Sequence, residues 1–548
     1  MSTSVAGGPY PALRRIPRWV WVVAVLVGVL RMTPYAVAAW RTPDGWTFTG
    51  NLTVSPDYMQ YRTWARQTQA EGPIVSNRFT AEPNGKFLPV PFYWGIGQLS
   101  RVTGLTPEWT YAWLGVPLAM AMVLLLYTCT RRFSRSELAV PWVVGALILG
   151  GGLGAILALI AETPGFRAWA PLYAIVVEPM EGAGRVAPFE SFRGNYVLQA
   201  LFDTHFLAFW VAATAAVLAL ASVTLEYSRR NLGWMIALFA TATILHVYEG
   251  ITLMAITFGV VGICMLRGLP RRHALMILAT SGATVGICLA GVLAMQHAAG
   301  FPTPEWRGLM VPPVIILLAY PVAWLLISIG GLRFWLDANR SDAFLGGWAA
   351  GCLGLVMAGP FFPYPNRGTM TLQIPLYIIA GTIYFKLFQR VRPMHVAVLV
   401  LLCSPTLLLT GLRWKEAWFH PTHAHKWVQP SHTRVIRALA DQSTPADLLL
   451  AGEEALRWLG PEYSGRHYAG HFFLTINYPE KYQALLEFLD SRDLAAQARF
   501  LSESGATFLF VETRRNPDHF RQLSMLTPLT EEDVGVLFAV APRDTTAK

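Results

Sequence analysis

The sequence predicts an α-helical polytopic membrane protein of about 11 transmembrane helices, with a small α/β domain at its C-terminal end. Only 14% of the 548 residues are charged and 54% are hydrophobic, whereas soluble domains carry about 25% charged residues. Apolar runs near the roughly 20 residues that cross a bilayer recur along the first three quarters of the chain. Short arginine clusters separate these runs, so the net charge of +10 reflects membrane topology and not nucleic-acid binding.

The basic clusters fix one orientation for the whole array. Arg14, Arg15 and Arg18 keep the N-terminus in the cytoplasm, and no cleavage pattern marks the first span as a removable signal. The eleven predicted spans are about 19–40, 110–131, 138–160, 204–229, two short helices within 233–266, then 274–295, 309–331, 344–357, 370–386 and 394–412. The outer loops are then about 41–110, 161–204, 296–308 and 358–370, and we expect amphipathic juxtamembrane helices in the long first loop.

The last part of the chain changes character and predicts a second domain. We place a transmembrane module at 1–412 and a C-terminal extracytoplasmic domain at 413–548. Short apolar blocks such as DLLLAGEE and ATFLFVET are typical of strands, and PEKYQALLEFLDSR is typical of an amphipathic helix. All five cysteines fall within or at the ends of predicted spans, which is compatible with an outer side in an oxidising bacterial periplasm.

The first outer loop contains SPDYMQYRTWARQTQAEG, which predicts a surface helix with a chemical face. If Ser55 caps that helix, then Asp57, Tyr61 and Trp64 share one side of it. A carboxylate flanked by aromatic rings suits a sugar site, where the carboxylate takes a proton from an attacking hydroxyl. The alternative is an interfacial helix whose rings join the aromatic belt and whose acid is favoured by the helix dipole. The pattern alone leaves both open.

Two further groups of ionisable residues lie where predicted spans begin or meet. Asp203 and His205 stand at the mouth of the fourth span, and His246 and Glu249 stand at the apex of the short helix pair. An Asp at the centre of a membrane span costs about 2.5 to 3.5 kcal/mol on insertion scales, so such groups normally face a polar cavity. They could equally sit in the headgroup zone and cap helix ends.

The overall layout resembles the GT-C superfamily of multi-pass glycosyltransferases. One span, a long outer loop with a D-Y-x-x-Y element, many further spans and an outer α/β domain carry this resemblance. The segments that carry it are DYMQYRTWARQTQAEG, FTAEPNGKFLPVPFYWGIGQLSRVTGL, FFPYPNRG with the following IPLYIIAG, and GRHYAGHFFLTINYPEK. The resemblance implies sugar transfer from a polyprenyl-phosphate donor to a lipid, glycan or protein acceptor, with inversion at the anomeric carbon.

By this resemblance, Asp57 takes the position of the catalytic acid and acts as general base. Ser55 replaces the first acid of the D-x-D form found in many relatives, so the sequence supports no metal site through paired carboxylates. A cofactor is not required on this evidence, although a divalent metal stays possible.

The donor phosphate needs cations, which the outer loops supply. The candidates for phosphate binding are Arg78, Lys86, Arg185, Arg193 and Arg367. The candidates for lining the cavity are Tyr61, Trp64, Glu82, Asp203, His205, His246, Glu249 and His471. Each could instead be solvated, bind lipid headgroups or have a structural role, and the histidines of WFHPTHAHKW are interpreted as a linker.

The sequence therefore predicts a glycosyltransferase of the bacterial cytoplasmic membrane, with membrane lipids around it and the C-terminal domain outside. The main alternative is a transporter or flippase for lipid-linked glycans, which would use the same cations without a base. A non-catalytic subunit of an envelope complex is the third possibility.

Overall fold

A computed structural model describes residues 16–52, 56–150, 200–298, 316–317, 319–358, 367–388, 392–415, 417–420, 426–472 and 474–541. The chain divides into two compact units. The helical unit comprises the described residues of Met1–Thr33, Trp113–Ala290 and Glu305–Lys415. The mixed unit comprises those of Pro34–Ala112, Gly291–Pro304 and Glu416–Lys548.

Helices dominate the described part of the first 415 residues. In chain order they are α1 (Arg18–Trp40), α2 (Pro56–Glu71), α3 (Pro91–Thr103), α4 (Pro107–Phe133), α5 (Ala139–Leu149), α6 (Thr204–Leu225), α7 (Arg229–Leu245), α8 (Val247–Met265), α9 (Arg271–Ala298), α10 (Pro321–Leu336), α11 (Arg340–Met357), α12 (Arg367–Leu387) and α13 (Arg392–Lys415). In the described part of the chain, α1, α4, α6, α8 and α9 are long and apolar enough to cross a membrane, and four shorter apolar helices accompany them. The chain is thus a multi-pass membrane protein, and the number of eleven spans stays a prediction.

Small residues let two helices of the helical unit approach closely. Gly347 and Gly351 of α11 face α8, where a Cβ on Gly351 would overlap the carbonyl oxygen of Ala255. Glycines spaced four apart are a common device for helix packing in membranes, because they allow backbones to touch. Between α7 and α8 the chain is extended at His246, so two separate helices meet at the HVYEG segment.

The mixed unit is built around a five-stranded sheet in its C-terminal part. The strands are β5 (Leu448–Leu450), β6 (Arg466–His467), β7 (Phe508–Glu512), β8 (Leu526–Glu532) and β9 (Gly535–Val540), in the order β6-β5-β7-β9-β8. The sheet is parallel across β6, β5 and β7 and antiparallel across β7, β9 and β8. The helices are α14 (Pro430–Gln442), α15 (Glu453–Leu459), α16 (Tyr478–Asp490), α17 (Leu494–Ser504) and α18 (Pro517–Phe520).

Residues of the first predicted outer loop belong to this same unit. Strands β2 (Ile74–Ser76) and β3 (Lys86–Pro89) form a hairpin between α2 and α3. Strand β1 (Thr47–Phe48) pairs antiparallel with β4 (Trp427–Val428), which precedes α14. Met59 and Phe79 join the buried core formed by residues of α14, α15 and the sheet.

Candidate active site

Asp57 lies in the first turn of α2, where a carboxylate is favoured by the positive end of the helix dipole. Its Oδ1 atom is 3.2 Å from Nε2 of His471, and the two residues are separated by 414 positions in the sequence. The His471 side chain is 1% exposed, whereas that of Asp57 is 36% exposed. The pair therefore combines a solvent-accessible carboxylate with a buried ring that fixes its position.

Backbone pairing holds His471 beside the first loop. The amide of His467 donates to the carbonyl of Arg78 at 2.8 Å, and the amide of Gly470 donates to the carbonyl of Phe79 at 3.2 Å. The amide of His471 donates to Oγ1 of Thr475 at 3.0 Å. These bonds fix the loop that carries the imidazole against the segment that follows α2.

A buried ion network holds the middle of α2. Glu108 accepts from Nε of Arg62 at 2.9 Å and from Arg66 at 3.0 Å. Glu462 adds a second carboxylate, 2.6 Å from Arg66. The Glu108 and Arg62 side chains are 3% and 7% exposed, so this network is expensive to break. It fixes the helix that presents the Asp57 carboxylate.

The two phosphate-binding candidates of the first loop both contact Glu71. Arg78 forms an ion pair with the Glu71 carboxylate at 2.9 Å, and Lys86 donates to the Glu71 carbonyl at 3.0 Å. Burial would raise the pKa of Glu71, but hydrogen bonds from Gln67 and the Ser76 amide, together with the Arg78 charge, bring the pKa below its usual value. Phosphate binding by Arg78 and Lys86 stays a prediction, and these contacts favour a structural role for Arg78.

Glu82 belongs to a second pair that joins the first loop to α16. It contacts Lys481 and the hydroxyl of Thr80. Burial would raise the pKa of Glu82, but the hydrogen bonds from Lys481 and Thr80 outweigh it and the pKa is lowered. The carboxylate is thus held ionised by its partners.

The aromatic residues of α2 pack on α3. Tyr61 stacks on Tyr93 with ring centroids 5.3 Å apart and planes at 22°. Trp64 contacts the same ring, also at 5.3 Å. The lining of a cavity by Tyr61 and Trp64 stays a prediction, and the contacts observed are those of helix packing.

Comparison with known proteins adds two solved structures. No family model matches the sequence, and no curated protein matches it. The archaeal oligosaccharyltransferase AglB from Archaeoglobus fulgidus, solved with an inhibitory peptide and a dolichol-phosphate, is 10% identical with a TM-score of 0.57, over 92% of this chain and 71% of AglB. The arabinofuranosyltransferase AftD from Mycobacteria is 14% identical with a TM-score of 0.56, over 98% of this chain. This chain spans only 40% of the length of AftD.

The chain has the fold of GT-C membrane glycosyltransferases. Both similar structures are of that superfamily, and the resemblance found in the sequence is confirmed at the level of fold. At these identities the likeness carries no residue roles, so the site assignments remain proposals.

In this GT-C fold, the other predicted histidine and acid pairs lie in the helical unit. Asp203 caps α6 by accepting from the amides of His205 at 2.9 Å and Phe206 at 3.2 Å. The rings of His205 and His246 are 5.7 Å apart, and Nδ1 of His246 is 3.7 Å from Oε1 of the buried Glu249. The structure thus brings these four residues into one cluster, with Asp203 as a helix cap.

The remaining cation candidates are not tested. Arg185 and Arg193 lie outside the described residues, and so does the side chain of Arg367, whose backbone begins α12. The described residues contain no group of three or more His, Cys, Asp or Glu side chains placed to hold a metal ion.

One buried charge of the helical unit lies outside the residues predicted for the site. Arg31 lies within α1, is fully buried, and donates to the hydroxyl of Thr204. Its guanidinium occupies the space beside Gly115, where a Cβ would overlap Cζ of the arginine. The sequence does carry a signal for this residue, a single arginine inside an apolar run. A charge within a membrane span usually marks a functional site.

Proposed function

We propose that this protein is a glycosyltransferase that moves a sugar from a polyprenyl-phosphate donor to an acceptor hydroxyl at the outer face of the cytoplasmic membrane. The observation that carries the proposal is the pairing of Asp57 with His471 at 3.2 Å, within a chain of GT-C fold. AglB was solved with a dolichol-phosphate, which is a lipid phosphate of the class required here. The positive-inside pattern of the sequence supports the outer location.

Asp57 acts as the general base. It takes the proton of the acceptor hydroxyl while that oxygen attacks the anomeric carbon, and the bond from this carbon to the phosphate oxygen breaks. The electron pair leaves with the polyprenyl phosphate, and attack from the opposite side inverts the anomeric centre. Asp57 then returns its proton to solvent, which its 36% exposure allows.

His471 is a positioning residue in this scheme. With its proton on Nε2, it donates to Oδ1 of Asp57 and fixes the direction of the carboxylate. An ionised carboxylate has about four lone-pair sites, so it can accept from the imidazole and from an acceptor hydroxyl at the same time. The ring is buried, so its bond to the carboxylate is little disturbed by water.

The test compares Asp57→Asn with the wild type in nanodiscs supplied with a panel of polyprenyl-phosphate sugars and envelope acceptors. Loss of a general base costs roughly 10²- to 10⁴-fold in rate, while donor binding is retained. Asp441→Asn is the matched control, because Asp441 is an exposed acid on α14.

Three results would overturn the proposal. One is unchanged turnover in Asp57→Asn. Another is lipid-linked glycan translocation by wild type and Asp57→Asn alike, which a flippase would show. The third is the absence of transfer by the wild type with every donor, which indicates a non-catalytic subunit.

A further inference from the structure

Four arginines at one end of the helical unit have no counter-charge in the described part of the chain. Arg229 and Arg230 begin α7, and Arg271 and Arg272 begin α9. All four are exposed, and no side chain among them forms an ion pair or a hydrogen bond with another described residue. Glu226 is the single acid in the two turns that precede these helices. We call these four residues the arginine cluster.

The two arginine pairs are neighbours in space because α7 and α9 run parallel. The ring of Tyr227, just before α7, stacks on the ring of His273 near the start of α9, with centroids 4.2 Å apart and planes at 8°. Eight residues further along each helix, Oγ of Ser281 lies 3.8 Å from Sδ of Met235. Equal steps in the same direction mean that both helices begin at the same end. The cluster therefore gathers four positive charges on one surface.

Other basic residues of the helical unit bind protein groups. Arg135 forms an ion pair with Asp342, and Lys386 forms one with Asp337 at 2.7 Å. Arg340 donates to a backbone carbonyl in the turn between α8 and α9, at 3.0 Å. Topology is signalled by basic residues whether or not they have partners. Topology alone therefore does not explain why the arginine cluster is left without protein partners.

Exposed apolar side chains lie on the same helix faces as the cluster. Trp234 follows Arg230 by four residues and is 51% exposed, and Leu275 follows Arg271 by four residues and is 67% exposed. Residues four apart share one face of a helix. The most apolar stretch of α9 is only 17% buried within the described part of the chain. Each guanidinium thus stands above an apolar surface, as a headgroup stands above its acyl chains.

We infer that the arginine cluster, with the apolar side chains beside it, binds the headgroup of an anionic phospholipid in the leaflet that the sequence predicts to be cytoplasmic. A guanidinium grips phosphate oxygens in bidentate fashion. Basic surfaces between membrane helices on the cytoplasmic side are a known setting for anionic headgroups. The surface contains none of the residues of the proposed reaction, so this lipid is a partner and not the sugar donor.

The test counts the lipids bound to the full-length protein by native mass spectrometry after release from detergent. The probes are phosphatidylglycerol and phosphatidylcholine with the same acyl chains, and inorganic phosphate is the competitor. We expect phosphatidylglycerol to be retained and phosphatidylcholine to be lost. Each arginine removed should weaken the binding of phosphatidylglycerol about fivefold, so that Arg229→Gln combined with Arg271→Gln weakens it about 25-fold.

Two further variants control for charge and for membrane insertion. Arg492→Gln combined with Arg499→Gln removes the same number of charges from exposed positions of the mixed unit, and it should bind the lipid as the wild type does. Arg229→Lys combined with Arg271→Lys keeps the charges that orient the helices, should the glutamine variant insert wrongly. It should still weaken binding a few-fold, because lysine lacks the bidentate fork.

The position of the lipid is tested with a photoreactive phosphatidylglycerol. Its cross-links should fall on peptides that contain Trp234 or Leu275. The inference is overturned if phosphatidylcholine is retained equally, or if correctly inserted cluster variants bind phosphatidylglycerol normally. Displacement of the lipid by inorganic phosphate at equal concentration, which indicates a site for free anions, would also overturn it, as would cross-links confined to other helices.

Discussion

The packing of α2 on α3 gives the sharpest prediction, because two glycines of α3 differ in what an added Cβ atom would contact. A Cβ on Gly97 would lie 2.8 Å from the carbonyl oxygen of Ala65 and 2.8 Å from Oγ1 of Thr68, both on α2. A Cβ on Gly95 would meet nothing within 4 Å. Gly97→Ala therefore forces α2 away from α3, and Gly95→Ala does not.

The expected magnitudes follow from two opposing effects. Replacing glycine by alanine inside a helix stabilises by about 0.8 to 1 kcal/mol, and both variants gain this. Overpacking costs about 1 to 3 kcal/mol, and only Gly97→Ala incurs it. A unit of 150–250 residues shifts its Tm by about 2 to 4 °C per kcal/mol, so the two variants should differ by roughly 2 to 12 °C.

The assay is the tryptophan-fluorescence melting curve of the full-length protein in nanodiscs, at one fixed scan rate because membrane proteins often unfold irreversibly. Gly95→Ala should melt at or above the wild-type temperature, and Gly97→Ala below that of Gly95→Ala. Since α2 also carries Asp57, transfer activity should fall in Gly97→Ala alone. A Gly97→Ala variant as stable as Gly95→Ala would refute the packing argument.

Three further predictions concern the ion pairs and the imidazole. Glu108→Gln should destabilise the folded protein by about 3 kcal/mol, because it leaves two guanidinium groups without their buried carboxylate. Its Tm should fall, whereas the Tm of the exposed control variant Glu503→Gln should not. His471→Leu should lower kcat roughly ten- to a hundredfold, because it removes a hydrogen bond to a charged group. The acceptor KM should change less. An unchanged kcat would contradict the positioning role of His471. The pKa of Glu82 is below its usual 4.5 in the folded state, so the stability from its pair with Lys481 is complete above about pH 4.5 and is lost as the pH falls through the lowered value. Between about pH 6 and pH 3, the Tm of Glu82→Gln should therefore fall less than the Tm of the wild type. An identical fall in both proteins would count against the pair.

Local patterns predicted α2 well. The sequence SPDY, with an acid at the start of an amphipathic stretch, predicts a helix there, and α2 runs over Pro56–Glu71. The apolar blocks around Leu448–Leu450 and Phe508–Glu512 likewise form β5 and β7. These features depend on periodicity and helix ends, which the sequence carries directly.

Tertiary contacts were beyond such patterns. The partner of Asp57 is 414 positions away, and no spacing rule connects a first-turn acid with a histidine at that distance. Helical spacing placed Tyr61 on the side of Asp57, but the neighbouring ring of Tyr93 decides what Tyr61 contacts. Arg31 lies inside the first apolar run, where hydropathy alone predicts an anchor and does not reveal the buried contact.

The pairing of β1 with β4 has a consequence for how this protein is made. Ala38 accepts a hydrogen bond from the Trp427 indole, 389 positions later in the chain. At about 5 to 20 residues per second, a ribosome takes roughly 20 to 80 seconds to cover that distance. During this interval Met59 and Phe79 lack the C-terminal side chains that enclose them. The early segment therefore completes its core only when translation is nearly finished.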